Sequence, residues 1–182
     1  MTTPTVHPLP STPELTEQQV RLLKWRAAGC TRTQIARDTY TSEGRVTVYM
    51  TELQAALGAN SRTQMVALGL IHRLLTPEDV ISLPVLQPVH LSGRQLQVLK
   101  VYATGGNDTD AAKHLRISAA TVRGYGSALL QILRARDRTQ AVALGLLYGL
   151  LLLRDIDGRL PAVTLRTHTS QPAAARRPLE FR

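Results

Sequence analysis

The sequence predicts an all-α fold made of two tandem four-helix domains, and three observations favour it. The chain of 182 residues contains an internal repeat, and helix-start signals recur at the same places in both copies. In addition, neither copy has the alternating pattern of a β-strand. Two short strand-like segments, 47–50 and 161–165, have no partner with which to pair.

The repeat aligns residues 15–75 with residues 91–151 without a gap, at an offset of 76 residues. Roughly two in five aligned positions are identical, which is far above chance for such a stretch. The strongest block is RTQxVALGL, which begins at Arg62 and again at Arg138. Because this period is too long for a solenoid and suits a small helical domain, we expect one domain over 15–75 and another over 91–153.

The remaining segments are predicted to flank or connect the two domains. Residues 1–14 are rich in Thr and Pro and are expected to be disordered. Residues 76–90 contain three prolines and form the predicted interdomain linker, in which a short helical turn can begin at Pro77. Residues 154–182 are rich in Pro, Ala and Arg and are expected to form a flexible tail.

Each domain is predicted to contain four helices, because good N-cap residues stand at equivalent positions in both copies. The predicted N-caps of helices one to four are Thr16, Thr31, Ser42 and Ser61 in the first copy, and Ser92, Asn107, Ser118 and Asp137 in the second. Gly29 and Gly105 are predicted to end helix one, since glycine tolerates the left-handed conformation found there.

Apolar residues at spacings of three and four predict the buried faces of helices one and three. For helix one they are Val20, Leu23 and Ala27 in the first copy, and Leu96, Leu99 and Ala103 in the second. For helix three they are Val46, Tyr49, Leu53 and Leu57, and then Val122, Tyr125, Leu129 and Leu133. We interpret these residues and Trp25 as core rather than as a binding site.

A short helix, a turn and a longer helix follow one another in both copies, which is the arrangement of a helix-turn-helix motif. Helix three would then enter the DNA major groove and present short polar or basic side chains to the base edges. The candidate DNA-binding residues are Arg32, Thr33, Arg45, Thr47, Val48, Thr51, Thr109, Lys113, Thr121, Arg123, Gly124 and Ser127. The same face could be only the solvated side of an amphipathic helix, but its repetition in a basic chain favours DNA.

Composition limits the classes of function. The net charge of +9 suits a nucleic acid, an anionic membrane surface or an acidic protein. Cys30 is the only cysteine, the histidines lack metal-ligand spacing, and no catalytic motif occurs, so we expect no enzyme, no cofactor and no metal site. The longest apolar run, 141–153, is too short to span a bilayer. We therefore expect a cytoplasmic, nucleoid-associated protein without membrane contact.

Both copies resemble the C-terminal DNA-binding domain of LuxR-type (NarL/FixJ-type) transcription regulators. The first copy shares Leu15-Thr16, Leu22-Leu23, Gly29, Ile35-Ala36, Ser42-Glu43, Val46, Leu53, Leu57-Gly58 and Arg62-Thr63-Gln64 with that family. The second shares Leu91-Ser92, Leu99, Gly105, Leu115, Ile117-Ser118, Thr121-Val122-Arg123, Leu133 and Arg138-Thr139-Gln140-Ala141-Val142. The resemblance implies a fold of the winged-helix-like C-terminal effector class, double-stranded DNA as partner and transcription regulation as function. Family members usually carry a sensor domain before this motif, whereas only residues 1–14 precede it here, so we expect no sensor.

Helix four has more apolar residues than a small three-helix core can bury, and an exposed apolar patch of this kind usually marks an interface. The candidate interface residues are Met65, Leu68, Ile71, Leu75, Leu144, Leu147 and Leu151. The resemblance also implies contacts between DNA-binding domains through this helix. Either the two copies pair within one chain as a pseudo-dimer, or two chains pair as a homodimer.

The second copy departs from the family pattern. Gly124 and Gly126 lie within its recognition helix, where each costs about 0.5–1 kcal/mol relative to alanine. Asp108 and Asp110 stand in helix two, where the family often has a basic residue. The alternative function is therefore a protein-interaction adaptor of the transcription machinery, with a degenerate second motif that binds RNA polymerase, a sigma factor or another regulator.

Overall fold

A computed structural model describes residues 13–81, the first module, and residues 89–165, the second module. The first module contains α1 (Glu17–Ala27), α2 (Arg32–Asp38), α3 (Glu43–Ala56), α4 (Arg62–Ile71) and the short α5 (Pro77–Val80). The second contains α6 (Gly93–Ala103), α7 (Asp108–Leu115), α8 (Ala119–Leu133), α9 (Arg138–Leu147) and a 3-10 helix at Leu153–Asp155. The predicted all-α fold is thus confirmed. None of the described helices has the length and apolar character that crossing a membrane requires.

The helices begin at the predicted N-caps, where a side chain bonds the free backbone N–H groups of the first turn. Thr16 Oγ1 accepts from the Gln19 N–H at 3.3 Å, and Gln19 Oε1 accepts in return from the Thr16 N–H at 2.9 Å. The other predicted N-caps also accept a bond from the backbone three residues further on. Helix one ends at Gly29 and Gly105, whose φ angles are 80° and 94°.

Helices one and three of each module pack together through the predicted leucines. Leu23 and Leu53 in the first module are fully buried, as are their equivalents in the second. The buried stripe of α3 passes through Met50 rather than Tyr49, which is half-buried at its edge. The tyrosine keeps its hydroxyl at the surface, where it accepts a hydrogen bond from Arg45 Nε at 2.9 Å.

Helices α4 and α9 are buried on nearly all sides because each contacts its own module and the other helix. Residues 63–71 and residues 139–146 are all buried. These ranges include the candidate interface residues Met65, Leu68, Ile71 and Leu144, whereas Leu147 is half-buried at the end of α9. Within one chain, the two copies of helix four therefore form one continuous core.

The candidate interface residues that follow these helices cover their own module. The chain turns back after α4, so that Leu75 lies over Gly69, where an added Cβ would be 3.0 Å from Leu75 Cδ1. The same turn after α9 brings Leu151 over Gly145, with a corresponding distance of 3.2 Å. Leu75 and Leu151 are buried by this intramodule packing.

Two equivalent hydrogen bonds connect the modules reciprocally. Gln64 Nε2 donates to the Ile156 carbonyl at 2.9 Å, and Gln140 Nε2 donates to the Val80 carbonyl at 2.8 Å. Gln64 and Gln140 are equivalent in the repeat, and Val80 and Ile156, just beyond its end, stand at the same offset of 76 residues. Each module thus gives the other the same contact, as expected for an approximate two-fold axis.

The residues just beyond the predicted domain boundaries are folded. The helical turn expected at Pro77 is present as α5, whereas residues 154–165 of the expected flexible tail are ordered. Lys24 Nζ lies 3.2 Å from Asp79 Oδ1, and the equivalent pair, Lys100 Nζ and Asp155 Oδ1, is also 3.2 Å apart. After the 3-10 helix the chain returns to form an isolated antiparallel bridge between Leu152 and Thr164. The structural repeat therefore continues past the end of the sequence repeat. The other residues expected to be disordered or flexible, 1–12, 82–88 and 166–182, lie outside the described residues.

Candidate nucleic-acid interface

Both modules form a helix-turn-helix from the predicted segments. In the first, Tyr40, which follows the C-cap of α2, lies in the left-handed region at φ 53°, and the Thr41 N–H bonds to the Ala36 carbonyl at 2.9 Å. In the second, Arg116 has φ 54° and the Ile117 N–H bonds to the Ala112 carbonyl at 3.1 Å. The same turn therefore sets the direction of the recognition helix, α3 or α8, in both modules.

The candidate residues on α3 form one solvent-facing strip. Arg45 and Thr51 are exposed, Thr47 is half-buried, and Val48 is 51% exposed although it is apolar. In sequence they lie between the buried residues of the same helix, so their side chains point away from the core. A strip of this composition can enter a major groove, where Val48 has the shape to contact a thymine methyl group.

Hydrogen bonds join the candidate residues of α2 to side chains of α3. Arg32 Nη1 donates to Thr47 Oγ1 at 3.3 Å, and Thr33 Oγ1 donates to Glu43 Oε1 at 2.7 Å. The Thr47 and Thr51 hydroxyls donate to backbone carbonyls of their own helix, at 2.9 Å and 3.0 Å. In this arrangement the two threonines present oxygen lone pairs, which suit the amino groups of cytosine and adenine.

Arg45 is held over the surface by Tyr49. Its Nε donates to the tyrosine hydroxyl, and the guanidinium carbon lies 5.3 Å from the centre of the ring. This hydrogen bond lowers the pKa of the Tyr49 hydroxyl and raises that of Arg45. Because only Nε is used, both terminal nitrogens of Arg45 can still bind guanine or a phosphate.

The candidate residues of the second module are also exposed. The exposed candidates on α7 and α8 are Thr109, Lys113, Thr121, Arg123, Gly124 and Ser127. Within the described part of the chain, Arg123 has no ion-pair or hydrogen-bond partner for its side chain. It is therefore an available guanidinium on the outer face of the second recognition helix.

Gly126 makes room for a side chain from α6. Tyr102 is only 4% exposed, and its hydroxyl would lie 2.8 Å from a Cβ placed on Gly126. The equivalent positions in the first module hold Arg26 and Met50, so the two exchanges compensate each other: a larger residue on α6 meets a smaller one on α8. This glycine is therefore part of the packing of the second module.

The acidic residues of α7 have structural partners. The Tyr102 hydroxyl donates to Asp108 Oδ1 at 2.8 Å, and Arg138 lies 3.5 Å from the same oxygen and 4.5 Å above the tyrosine ring. Burial, together with this carboxylate, raises the pKa of the Tyr102 hydroxyl. Asp110 accepts from the Asn107 N–H at 2.9 Å and so completes the cap of α7. Asp108 is thus paired with a basic side chain, and Asp110 is bonded to the backbone that it caps.

The positive charge is unequally divided between the modules. Residues 89–165 contain ten Lys and Arg side chains against five Asp and Glu side chains, whereas residues 13–81 contain eight against seven. The second module thus has the stronger attraction for a polyanion.

The cluster of Tyr102, Asp108 and Arg138 was not predicted from the sequence. A signal was available in the repeat, because the exchange of Arg26 for Tyr102 occurs together with that of Met50 for Gly126. The link between the two exchanges becomes visible only when helices one and three are seen in contact.

Comparison with protein-family models gives two matches, at residues 13–68 and 89–144, both to the family described as bacterial regulatory proteins, luxR family. The matches cover more than half of the chain and correspond to the two helix-turn-helix modules. Neither the curated proteins nor the solved structures provide a match.

Proposed function

The chain belongs to the luxR family of bacterial regulatory proteins, and from this premise we propose that it is a sequence-specific, double-stranded DNA-binding transcription regulator. In this proposal α3 and α8 enter major grooves, and the exposed candidate residues contact bases and phosphates. Such a protein would act on the nucleoid in the cytoplasm.

The observation that best supports the proposal is the exposed basic surface of the second module. Its recognition helix presents an exposed Arg123, which is unpaired among residues 13–81 and 89–165, on a module with a large excess of basic side chains. The features that made this copy look degenerate have structural explanations, since Gly126 accommodates Tyr102 and Asp108 pairs with Arg138. We therefore assign the stronger DNA contact to the second module.

The packing of α4 on α9 supports an intrachain pseudo-dimer in preference to a homodimer. Met65, Leu68 and Leu144 are already buried within one chain, and the remaining apolar surface of helix four is small. One chain would then hold two half-sites, which raises the effective concentration of each module for its own half.

The test is to select bound fragments from random duplex DNA and to measure affinity for the selected site at several salt concentrations. We expect a steep loss of affinity with salt, because phosphate contacts release counterions. Arg123→Ala should cost about 1–3 kcal/mol and relax the preference at one base pair, if the side chain forks onto guanine. Arg21→Ala removes the same charge from an exposed position on α1 and should change affinity little.

A protein-adaptor function is the second candidate, and one surface of the first module favours it. Tyr40 is 98% exposed in the turn before α3, beside a groove that Trp25 and Tyr49 also line. This module is nearly neutral, so an aromatic surface on it suits a protein such as RNA polymerase better than DNA. Affinity for DNA that is weak and insensitive to salt would favour this function.

A further inference from the structure

A crevice of about 330 Å³ lies between the first recognition helix and the start of α9. Three arginines contribute to its lining: Arg26 from α1, Arg32 from α2 and Arg62 from α4. Asp137, which comes from the other module, is the only acidic residue among the lining residues. The crevice therefore carries an excess of positive charge.

The three arginines differ in how far they are already engaged. Arg26 has a side chain that is only 16% exposed, and it bonds Asp137, Thr139 and the Cys30 carbonyl. Arg32 is exposed, and among the residues that the structure describes its side chain bonds only the neutral Thr47. Arg62 is exposed and has no partner within the described part of the chain. Asp137 thus neutralises Arg26 and leaves two guanidinium groups free to bind an anion.

A hydroxyl group stands beside these guanidinium groups. Thr31 Oγ1 accepts from the Gln34 N–H at 3.2 Å, so its own proton can be donated to a ligand. Guanidinium forks and a hydroxyl donor match the oxygens of a phosphate. We propose that this crevice, in the first module only, is a binding site for a phosphate group, held by Arg32 and Arg62.

The second module fills the equivalent place with its own side chains. Tyr102 takes the position of Arg26 and packs on Gly126, and Asp108 takes the position of Arg32. Arg138, the equivalent of Arg62, is bound to Asp108 and stacks on Tyr102. Because Asp108 pairs with Arg138 and would repel an anion, this cluster lacks the free positive charge of the crevice, so the two modules differ at this place.

The phosphate group has two possible sources: the backbone of DNA bound at α3, or a free phosphorylated small molecule. The DNA source rests on the proposed function, whereas the small-molecule source is independent of it. In both cases the anion would lie next to the Arg26–Asp137 ion pair, which joins the two modules across 111 residues of sequence. Binding would therefore act on the contact between the modules.

The first experiment titrates the full chain with inorganic phosphate and follows the arginine Nε–Hε signals by NMR, with sodium chloride at equal ionic strength as reference. We expect saturable shifts at Arg32 and Arg62, and a loss of phosphate affinity of at least tenfold in Arg62→Gln and in Arg32→Asp. The matched control Arg21→Gln, at an exposed site outside the crevice, should retain the affinity. Shifts no larger than those with chloride, or undiminished in Arg62→Gln, would overturn the proposal.

The second experiment identifies the source by comparing the salt dependence of DNA binding in the wild type and Arg62→Gln. If the crevice holds a DNA phosphate, the slope of log K against log salt should fall by about one in the variant. An unchanged slope, together with the NMR shifts, would assign the site to a free phosphorylated molecule. A wild type that does not bind DNA would refute the proposed function, while the phosphate titration would still decide the proposal.

Discussion

Two glycines of α8, two residues apart, have opposite surroundings. Gly124 has nothing within 4 Å of an added Cβ, whereas Gly126 has the Tyr102 hydroxyl at 2.8 Å. Gly124→Ala should therefore raise the free energy of unfolding by about 0.5–1 kcal/mol, the usual difference between glycine and alanine within a helix. Gly126→Ala should gain nothing or lose stability, because the new methyl group displaces Tyr102 from Asp108.

Chemical denaturation of the two variants and the wild type measures this difference directly. The double variant Tyr102→Phe, Gly126→Ala is the control, since removal of the hydroxyl opens the space that the methyl group needs. Equal stabilisation by the two single alanine substitutions would show that Tyr102 does not constrain position 126.

Tyr102 also gives a prediction about pH. Burial and the hydrogen bond to Asp108 raise the pKa of its hydroxyl above the ordinary value of about 10. In this range the unfolded chain loses the proton before the folded chain does, so the tyrosine stabilises the fold below pH 10 and this contribution falls as the pH rises further. The free-energy difference between wild type and Tyr102→Phe should therefore narrow above pH 10. A difference that stays constant up to pH 11 would contradict the assignment.

At the scale of elements, the reciprocal glutamines join the two copies of helix four. Gln64 and Gln140 are 5% and 3% exposed, and each satisfies a buried carbonyl of the other module. Replacement of either glutamine by methionine leaves that carbonyl without its donor, which should cost about 1–3 kcal/mol. Equilibrium denaturation checks the loss, with Gln131→Met at an exposed site on α8 as control. A loss no greater than that of the control would mean that these bonds do not hold the modules together.

Local signals predicted the elements well, because capping depends on residues only three apart. The N-caps, the glycine ends of helix one and the helix-turn-helix could all be read from the sequence. Tyr49 was predicted to be core because it shares the apolar spacing of its neighbours, but its hydroxyl draws it to the edge. Sequence spacing alone does not distinguish the two positions.

The features that depend on contacts between modules could not be predicted. The helical turn at Pro77 was expected, but the packing of this segment was not, because the Val80 carbonyl accepts its hydrogen bond from Gln140 of the second module. The crevice beside α3 requires Arg26 and Asp137 to meet from opposite modules. No sequence pattern within either copy predicts a contact between residues of different modules.

At the scale of the whole molecule, the reciprocal contacts predict which kind of DNA site the proposed regulator binds. Gln64 and Gln140 make the same bond in opposite directions, so the modules are related by an approximate two-fold axis. If both modules bind DNA as proposed, recognition helices related by this axis should read inverted half-sites, and entry into successive major grooves would place these about 10 bp apart from centre to centre. The half-sites should differ in sequence, because Arg45 and Thr47 of α3 correspond to Thr121 and Arg123 of α8.

Insertions between the half-sites test this arrangement and the packing of α4 on α9 together. An insertion of 5 bp places the half-sites on opposite faces of the duplex and should lower affinity at least tenfold, since one module must then dissociate from its half-site.

An insertion of 10 bp returns the two half-sites to the same face of the duplex but leaves them one helical turn further apart. Modules joined only by a flexible linker would tolerate it, whereas modules that share one buried core should not. Footprinting should then show protection of a single half, and we expect it to be the half that Arg123→Ala weakens, because the second module has the larger excess of basic over acidic side chains. Full affinity with the 10 bp insertion would mean that the modules separate on DNA, and full affinity with both insertions would mean that only one of them reads it.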